Sequence, residues 1–274
     1  MKLVVSKLEE YCLAINNGNL IAWGNNKYNQ CSIPKKYNNN IVNVAAGSYF
    51  SLALNNQNKI IPFGLKKFNQ QKIPKIKENI SQLAVGHAHC LALSNNGNLV
   101  TWGKNYFQNL NIPNNLNNII QIDAGLFFSI AINNNGNLYF WGKFLFPEIP
   151  QPNNLNNIIQ ISAGRDHCIA LSNNDKIIAW GNNSHEQCYV GKYLYNISKI
   201  SAGAWHNLAL NKNGKIFAWG DNSFNQCDIP QNLNKNIINI FAGSNFNLAI
   251  NKYGDIISWG NNNDNQLNIP KELL

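Results

Sequence analysis

Residues 201–226 read SAGAWHNLALNKNGKIFAWGDNSFNQ, and residues 162–187 read almost the same, SAGRDHCIALSNNDKIIAWGNNSHEQ. Working outward from this pair, an aromatic-Gly step recurs at Trp23-Gly24, Phe63-Gly64, Trp102-Gly103, Trp141-Gly142, Trp180-Gly181, Trp219-Gly220 and Trp259-Gly260, always 39 or 40 residues apart. A second marker glycine, usually after alanine, keeps step at Gly47, Gly86, Gly125, Gly164, Gly203 and Gly243, while the first copy carries Lys7-Leu8 instead. Seven in-phase copies decide the architecture before any single residue is weighed.

Within one copy, IVNVAAG, FSLALN, KIIPFG and QQKIP are short β-favouring runs separated by Gly, Asn and Pro. Segments such as Asn95-Asn96-Gly97-Asn98 supply the positive-φ residues that tight hairpins require, so neighbouring strands should pair antiparallel. Four strands in each of seven copies predict an all-β fold, a single seven-bladed β-propeller over residues 1–274 built of four-stranded antiparallel blades. Lys2-Leu3-Val4-Val5 and Ile269-Pro270 are expected to meet where the ring closes, with either end free to supply the closing strand.

The composition suits such a core, since 45% of the 274 residues are hydrophobic and 11% aromatic. Only 13% are charged, because asparagine fills most polar positions, and Arg165 is the one arginine. The start, MKLVVSKLEEYC, lacks a long apolar run, and no stretch reaches membrane-spanning length, so a soluble, intracellular protein, cytoplasmic or nuclear, is expected. The six cysteines fall at two repeat positions, Cys12, Cys90 and Cys168 before a Leu/Ile-Ala step and Cys31, Cys188 and Cys227 after glutamine or, at Cys31, Gln30. Without any CxxC they read as buried free thiols.

At its markers the chain resembles the regulator of chromosome condensation repeat family, whose copies run approximately AGxxHSLAL and then DGxVxxWGxNxxGQL. Residues 162–187 and 201–226 follow that pattern nearly throughout. In size the chain is similar to the compact members, among them the propeller-type inhibitor that caps β-lactamases. The family's glycine before Gln is replaced by Asn29, Asn69, Asn225 and Asn265, which keeps a positive-φ option. The resemblance implies a binding protein, and in the exchange-factor branch it implies action on the small GTPase Ran through an inserted β-wedge and on nucleosomes with help from a basic tail. The uniform spacing leaves no room for that wedge, and no such tail is expected.

Candidate chemistry is sparse. His89, His167 and His206 share one repeat position with Tyr11, Phe50, Phe128 and Phe246, so that slot calls for a flat ring rather than an imidazole. His87-Ala88-His89 has ligand-like alternation but no third ligand nearby, and Asp166-His167 has no accompanying serine nucleophile. No catalytic, metal or cofactor site is therefore assigned. Six of the seven tryptophans belong to the Trp-Gly marker and are expected to fill space between blades.

Two windows vary among copies while their flanks do not. The first lies between the marker glycine and the ring slot: Glu9-Glu10, Ser48-Tyr49, His87-Ala88, Leu126-Phe127, Arg165-Asp166, Ala204-Trp205 and Ser244-Asn245. It places Tyr49, Phe127, Arg165 and Trp205 on one rim as candidate protein-binding residues. The second follows Trp-Gly, at Lys27-Tyr28, Lys67-Phe68, Tyr106-Phe107, Leu145-Phe146, Ser184-His185, Ser223-Phe224 and Asn263-Asp264.

Charge is uneven. From Lys27 to Lys77 nine lysines occur with no acid, which accounts for the whole net charge of +9. Lys35, Lys36, Lys66, Lys67, Lys72, Lys75 and Lys77 form a candidate anion-binding sector. The favoured function is a non-enzymatic, monomeric propeller that binds a protein partner. Association with chromatin or DNA, and nucleotide exchange on a small GTPase, remain the alternatives.

Overall fold

The computed structural model describes all residues except 38, 154, 232, 234 and 235. Their strands form seven antiparallel sheets in chain order. Blade 1 holds Lys2–Val5, Tyr11–Asn16 and Asn19–Gly24, and blade 3 holds Ile80–Val85, His89–Ser94 and Leu99–Gly103. Blades 2, 4, 5, 6 and 7 begin at Ile41, Ile119, Ile158, Ile197 and Ile237. Their first strands contact one another around a closed ring and line a central channel. Two ends result: an upper face, where first strands turn into second strands and where the loops after Trp-Gly begin, and a hairpin face made by the turns between second and third strands.

Each sheet has three strands, not the expected four. The outer segment after Trp-Gly contains Pro34, Pro74, Pro113, Pro150, Pro230 and Pro270, and a residue without an N–H cannot sustain a ladder. The segment instead coils around a buried glutamine. The Gln30 side chain accepts the N–H of Tyr28 at 2.8 Å and donates to Asn25 at 3.0 Å; Gln187 and Gln226 repeat the arrangement. The Ile of each Ile-Pro step then inserts between blades, as at Ile33, Ile73, Ile149, Ile229 and Ile269. Asn29, Asn69, Asn225 and Asn265 do adopt positive φ, at 61°, 59°, 59° and 60°.

The core is not inside the blades but between them. Seven clusters of buried side chains each draw on two adjacent blades, so no sheet can bury its faces alone. The marker tryptophans fasten these seams. Trp23, Trp102, Trp141, Trp219 and Trp259 donate Nε1–H to the carbonyls of Gln266, Gln70, Asn109, Gln187 and Gln226 in the preceding blade, at 2.9–3.1 Å. Trp180 is the exception. The preceding loop in blade 4 lacks the glutamine and fills its place with Phe144, leaving the Trp180 indole N–H without a partner among the described residues.

Both marker glycines are forced. Gly103 has φ +110° and sits against the carbonyl of Ala88, while a Cβ on Gly86 would lie 2.2 Å from the His89 ring. In blade 1, Ser6 takes the place of the second marker and its loop is two residues longer, with Ser6 N–H donating to Tyr11 as Gly47 N–H does to Phe50. The longer loop sends Lys7 across the channel to Asp123. Closure uses no strand exchange: Leu3, Val5 and Cys12 pack on Phe246, Leu248 and Leu273, and Trp23 bonds Gln266 at 2.9 Å.

The ring slot forms a second belt around the seams. Each slot residue meets the residue that follows the slot in the next blade, and the pairing is chemically matched. Polar rings face polar partners: Tyr11 with Ser51 (3.1 Å), His89 with Ser129 (3.0 Å), His167 with Asn207 (2.8 Å) and His206 with Asn247 (2.7 Å). Phenylalanine faces cysteine, since Phe50, Phe128 and Phe246 share clusters with Cys90, Cys168 and Cys12. None of the six cysteines is in a disulfide, and burial pushes all six thiols up. The tautomers follow from the neighbours: Asn207 and Asn247 give their N–H to the carbonyls of Gln187 and Gln226, so their oxygens accept from Nε2–H of His167 and His206.

Two predictions follow from the seams. Trp219→Phe keeps the ring but removes the indole hydrogen bond to the Gln187 carbonyl, which retains its bond from Asn207, so it should destabilise by roughly 1 kcal/mol more than Trp180→Phe, where no hydrogen bond is lost. Calorimetric midpoints giving equal losses would contradict the role of the indole bond. Burial also lowers the pKa values of His89, His167 and His206 to about 4. The unfolded chain therefore binds more protons below the ordinary histidine value, so stability is complete above about pH 6.5 and is lost as pH falls toward 4, by up to about 3 kcal/mol per ring. Replacing one pair by its apolar counterpart, His167→Phe with Asn207→Cys, should flatten the pH dependence of the unfolding midpoint; an unchanged slope would contradict the assignment.

Candidate functional site

The first variable window does gather on the upper face, but in two groups rather than one rim. Tyr49 and Phe127 belong to an arc of seven rings from blades 1–4. Tyr28 lies 4.6 Å from Tyr49, Tyr49 5.5 Å from His87, and His87 5.5 Å from Phe127. Phe68 touches His87, and Tyr106 and Phe107 touch Phe127, at 5.4–5.5 Å. The two windows thus interdigitate, because the loop after Trp-Gly of one blade lies beside the marker loop of the next. Arg165 and Trp205 form the second group, the guanidinium 5.5 Å from the indole centroid, with His185 against the same indole at 5.5 Å.

The backbone beneath these side chains is hydrogen-bonded from blade to blade. His87 N–H donates to Leu126, Leu126 N–H to Arg165, Arg165 N–H to Ala204 and Ala204 N–H to Gly243, linking blades 3 to 7. Side chains complete the tie, with Ser48 Oγ 2.9 Å from His87 Nδ1. The rings of the arc and Trp205 are half-buried except Phe107, which is 48% exposed, and His185 beside Trp205 is exposed as well. Phe107 and Gln108 both have positive φ, 53° and 65°, a conformation costly for a bulky side chain.

Electrostatics divides the face. Burial raises the pKa of Glu9, opposed by its hydrogen bond with Tyr49 and by Arg165. Burial lowers that of His87, with Arg165 adding to the effect, so the imidazole is neutral near pH 7. Glu10 is a structural carboxylate, accepting from Asn245 and Gln266 at 2.9 Å; burial raises its pKa, which those amides counteract. Asp166 accepts the N–H groups of Leu145 and Phe146 at 2.8 and 2.9 Å and so caps the short blade 4 loop. It makes no pair with His167, whose Nε2 faces Asn207. His87 and His89 likewise part, one on the face and one in the belt. Among the described residues no three His, Cys, Asp or Glu side chains cluster as a metal site, and no helix is long and apolar enough to cross a membrane.

The lysines of the expected sector are all exposed, but the fold does not bring them together. Lys66 and Lys67, with Lys27, lie on the upper face beside Phe68 and Tyr28. From Gln70 the chain descends the outside of the blade, carrying Lys72 on the flank and leaving Lys75 and Lys77 next to the hairpin at Ser94 and Asn98. Lys35 and Lys36 sit at the same end, where Tyr37 accepts from Lys59 at 3.1 Å. Sequence reading missed two lysines of the upper face, Lys104 and Lys143, which follow Trp-Gly in blades 3 and 4; their position directly after that marker, two residues before the second window, was the available signal.

Comparison with known proteins agrees with this geometry. The family model for the regulator of chromosome condensation (RCC1) repeat matches residues 80–108, 158–187, 197–226 and 237–266. No curated protein matches the sequence. Among solved structures, yeast RCC1 (Prp20) bound to Kap60 is similar at TM-score 0.76 and 18% identity, covering 96% of this chain and 83% of that one. Prp20p from Saccharomyces cerevisiae, described with its binding properties to Gsp1p and histones, gives 0.73 at 19% identity over 90% and 82%. The ectodomain of the Arabidopsis thaliana receptor kinase ACR4 gives 0.73 at 15% identity over 94% of both chains. Four stretches of the chain thus match the regulator of chromosome condensation repeat, and with its seven equivalent sheets the fold is a seven-bladed β-propeller similar to these structures.

Proposed function

We propose that this chain is a non-enzymatic, monomeric propeller whose upper face binds a protein partner. The carrying observation is the pair of aromatic groups on that face, the seven-ring arc and the Arg165–Trp205 pair, built at positions that the repeat leaves free to vary. Half-buried aromatic rings on a hydrogen-bonded backbone lose little entropy on binding, and Tyr, Trp and Arg are the side chains that anchor interfaces. The similar yeast propeller was solved bound to Kap60, and its counterpart was described with Gsp1p and histones, which supports a protein as the class of partner. A small GTPase is one such partner, because exchange works by stabilising the nucleotide-free GTPase and requires no catalytic group. Sequence-independent DNA binding has less support, since the lysines are divided between the two faces.

Affinity capture from the native host, followed by titration with the purified partner, tests the reading. Trp205→Ala and Phe127→Ala should each weaken binding at least about ten-fold while leaving the unfolding midpoint of the folded propeller close to wild type. Unchanged binding by both variants would contradict it. Release of labelled GDP, measured on the same partner where it is a GTPase, separates exchange from simple binding.

A further inference from the structure

We propose that the seven-ring arc of blades 1–4 receives an extended, acidic segment of the protein partner; the inference rests on the reading of the upper face as a protein-binding surface. Along the outer edge of the arc the ammonium groups follow the rings blade by blade. Lys27 stands 5.8 Å from the Tyr28 centroid, Lys104 6.0 Å from Tyr106 and Lys143 5.7 Å from Phe107. Lys66 and Lys67 fill the interval beside Phe68. None of these five lysines meets a carboxylate among the described residues, where the ion pairs are Lys7–Asp123, His185–Asp221 and Lys212–Asp175. The acids Glu186 and Asp264 lie in the loops of blades 5 and 7, and the half-buried Glu9 borders the arc at Tyr49. A polyanion is thus drawn to the lysine-bearing side of the face.

The ring geometry selects the kind of polyanion. A single strand of nucleic acid needs open ring faces on which bases stack. Here the rings meet one another at steep interplanar angles, between 47° and 78°, and ammonium groups lie over Tyr28, Tyr106 and Phe107. What the arc offers is ring edges alternating with lysine tips, which suits a chain that alternates carboxylates with apolar side chains, one set on each side of an extended backbone. Phe107, held exposed at positive φ, provides the apolar anchor at one end.

Fluorescence anisotropy tests the inference with a labelled peptide alternating glutamate and leucine over about ten residues, which at ~3.3 Å per residue spans the arc. The acidic peptide should bind, more weakly as salt rises, and the same peptide with glutamine for glutamate should bind at least about ten-fold less tightly. Changing Lys27, Lys66, Lys67, Lys104 and Lys143 to glutamine should cost at least about ten-fold in affinity, whereas the same change at Lys35, Lys36, Lys59, Lys75 and Lys77, identical in net charge but away from the upper face, should cost less than about two-fold. No binding of the acidic peptide, equal losses from the two sets, or tighter binding of a labelled oligothymidylate than of the peptide would each overturn the inference. If the aromatic variants Phe127→Ala and Trp205→Ala weaken capture of the native partner while the lysine set does not, the acidic-segment inference alone fails; if none of them matters, the protein-binding reading fails with it.

Discussion

Everything in this molecule depends on the seam between adjacent blades. A three-stranded sheet of four- to six-residue strands cannot bury either face by itself, and the seven hydrophobic clusters all straddle two blades. Five of the seven seams are held twice, and those of Phe63 and Trp180 by the ring slot alone. The marker tryptophan reaches back to the glutamine carbonyl of the preceding blade, and the ring slot reaches forward to the residue after the slot of the next. Because the ring is closed, stability is shared among seams that resemble one another but are not chemically identical. Where a seam is polar the slot residue and its partner share a hydrogen bond, and where it is phenylalanine the partner is a thiol that asks for none.

Most of this architecture was legible in the sequence because the repeat period carries it. The spacing of Trp-Gly gave the blade count, and asparagine before glutamine was correctly read as a positive-φ position. The fourth strand was not there to be found, since the Ile-Pro segment has β-favouring residues but lacks the N–H that a ladder requires. The matched slot pairs were present in the sequence as a correlation at a distance of one repeat, with His or Tyr followed forty residues later by Ser or Asn and Phe followed by Cys. Reading each position down its own column hides it; the signal lies between two columns.

The surface was harder. Nine lysines that are neighbours along the chain are not neighbours in space, because the chain crosses from one face to the other between one loop and the next. The rim residues share one face, yet Tyr49 and Phe127 associate with second-window rings while Arg165 pairs with Trp205. Sequence could not give those distances, which depend on how the loops of successive blades interleave. The result is a face whose scaffold is fixed by repeat residues and whose chemistry is set by the residues between them.

The most direct test of the seam account is a double-mutant cycle that converts an apolar slot pair into a polar one. Phe50→His alone and Cys90→Asn alone should each destabilise, because each buries a polar group without its partner, while the two together should recreate the His206–Asn247 arrangement. Measured by denaturant unfolding, the account predicts a favourable coupling of at least about 1 kcal/mol between the two substitutions. Strictly additive losses would show that the ring slot and its partner in the next blade do not act as a pair.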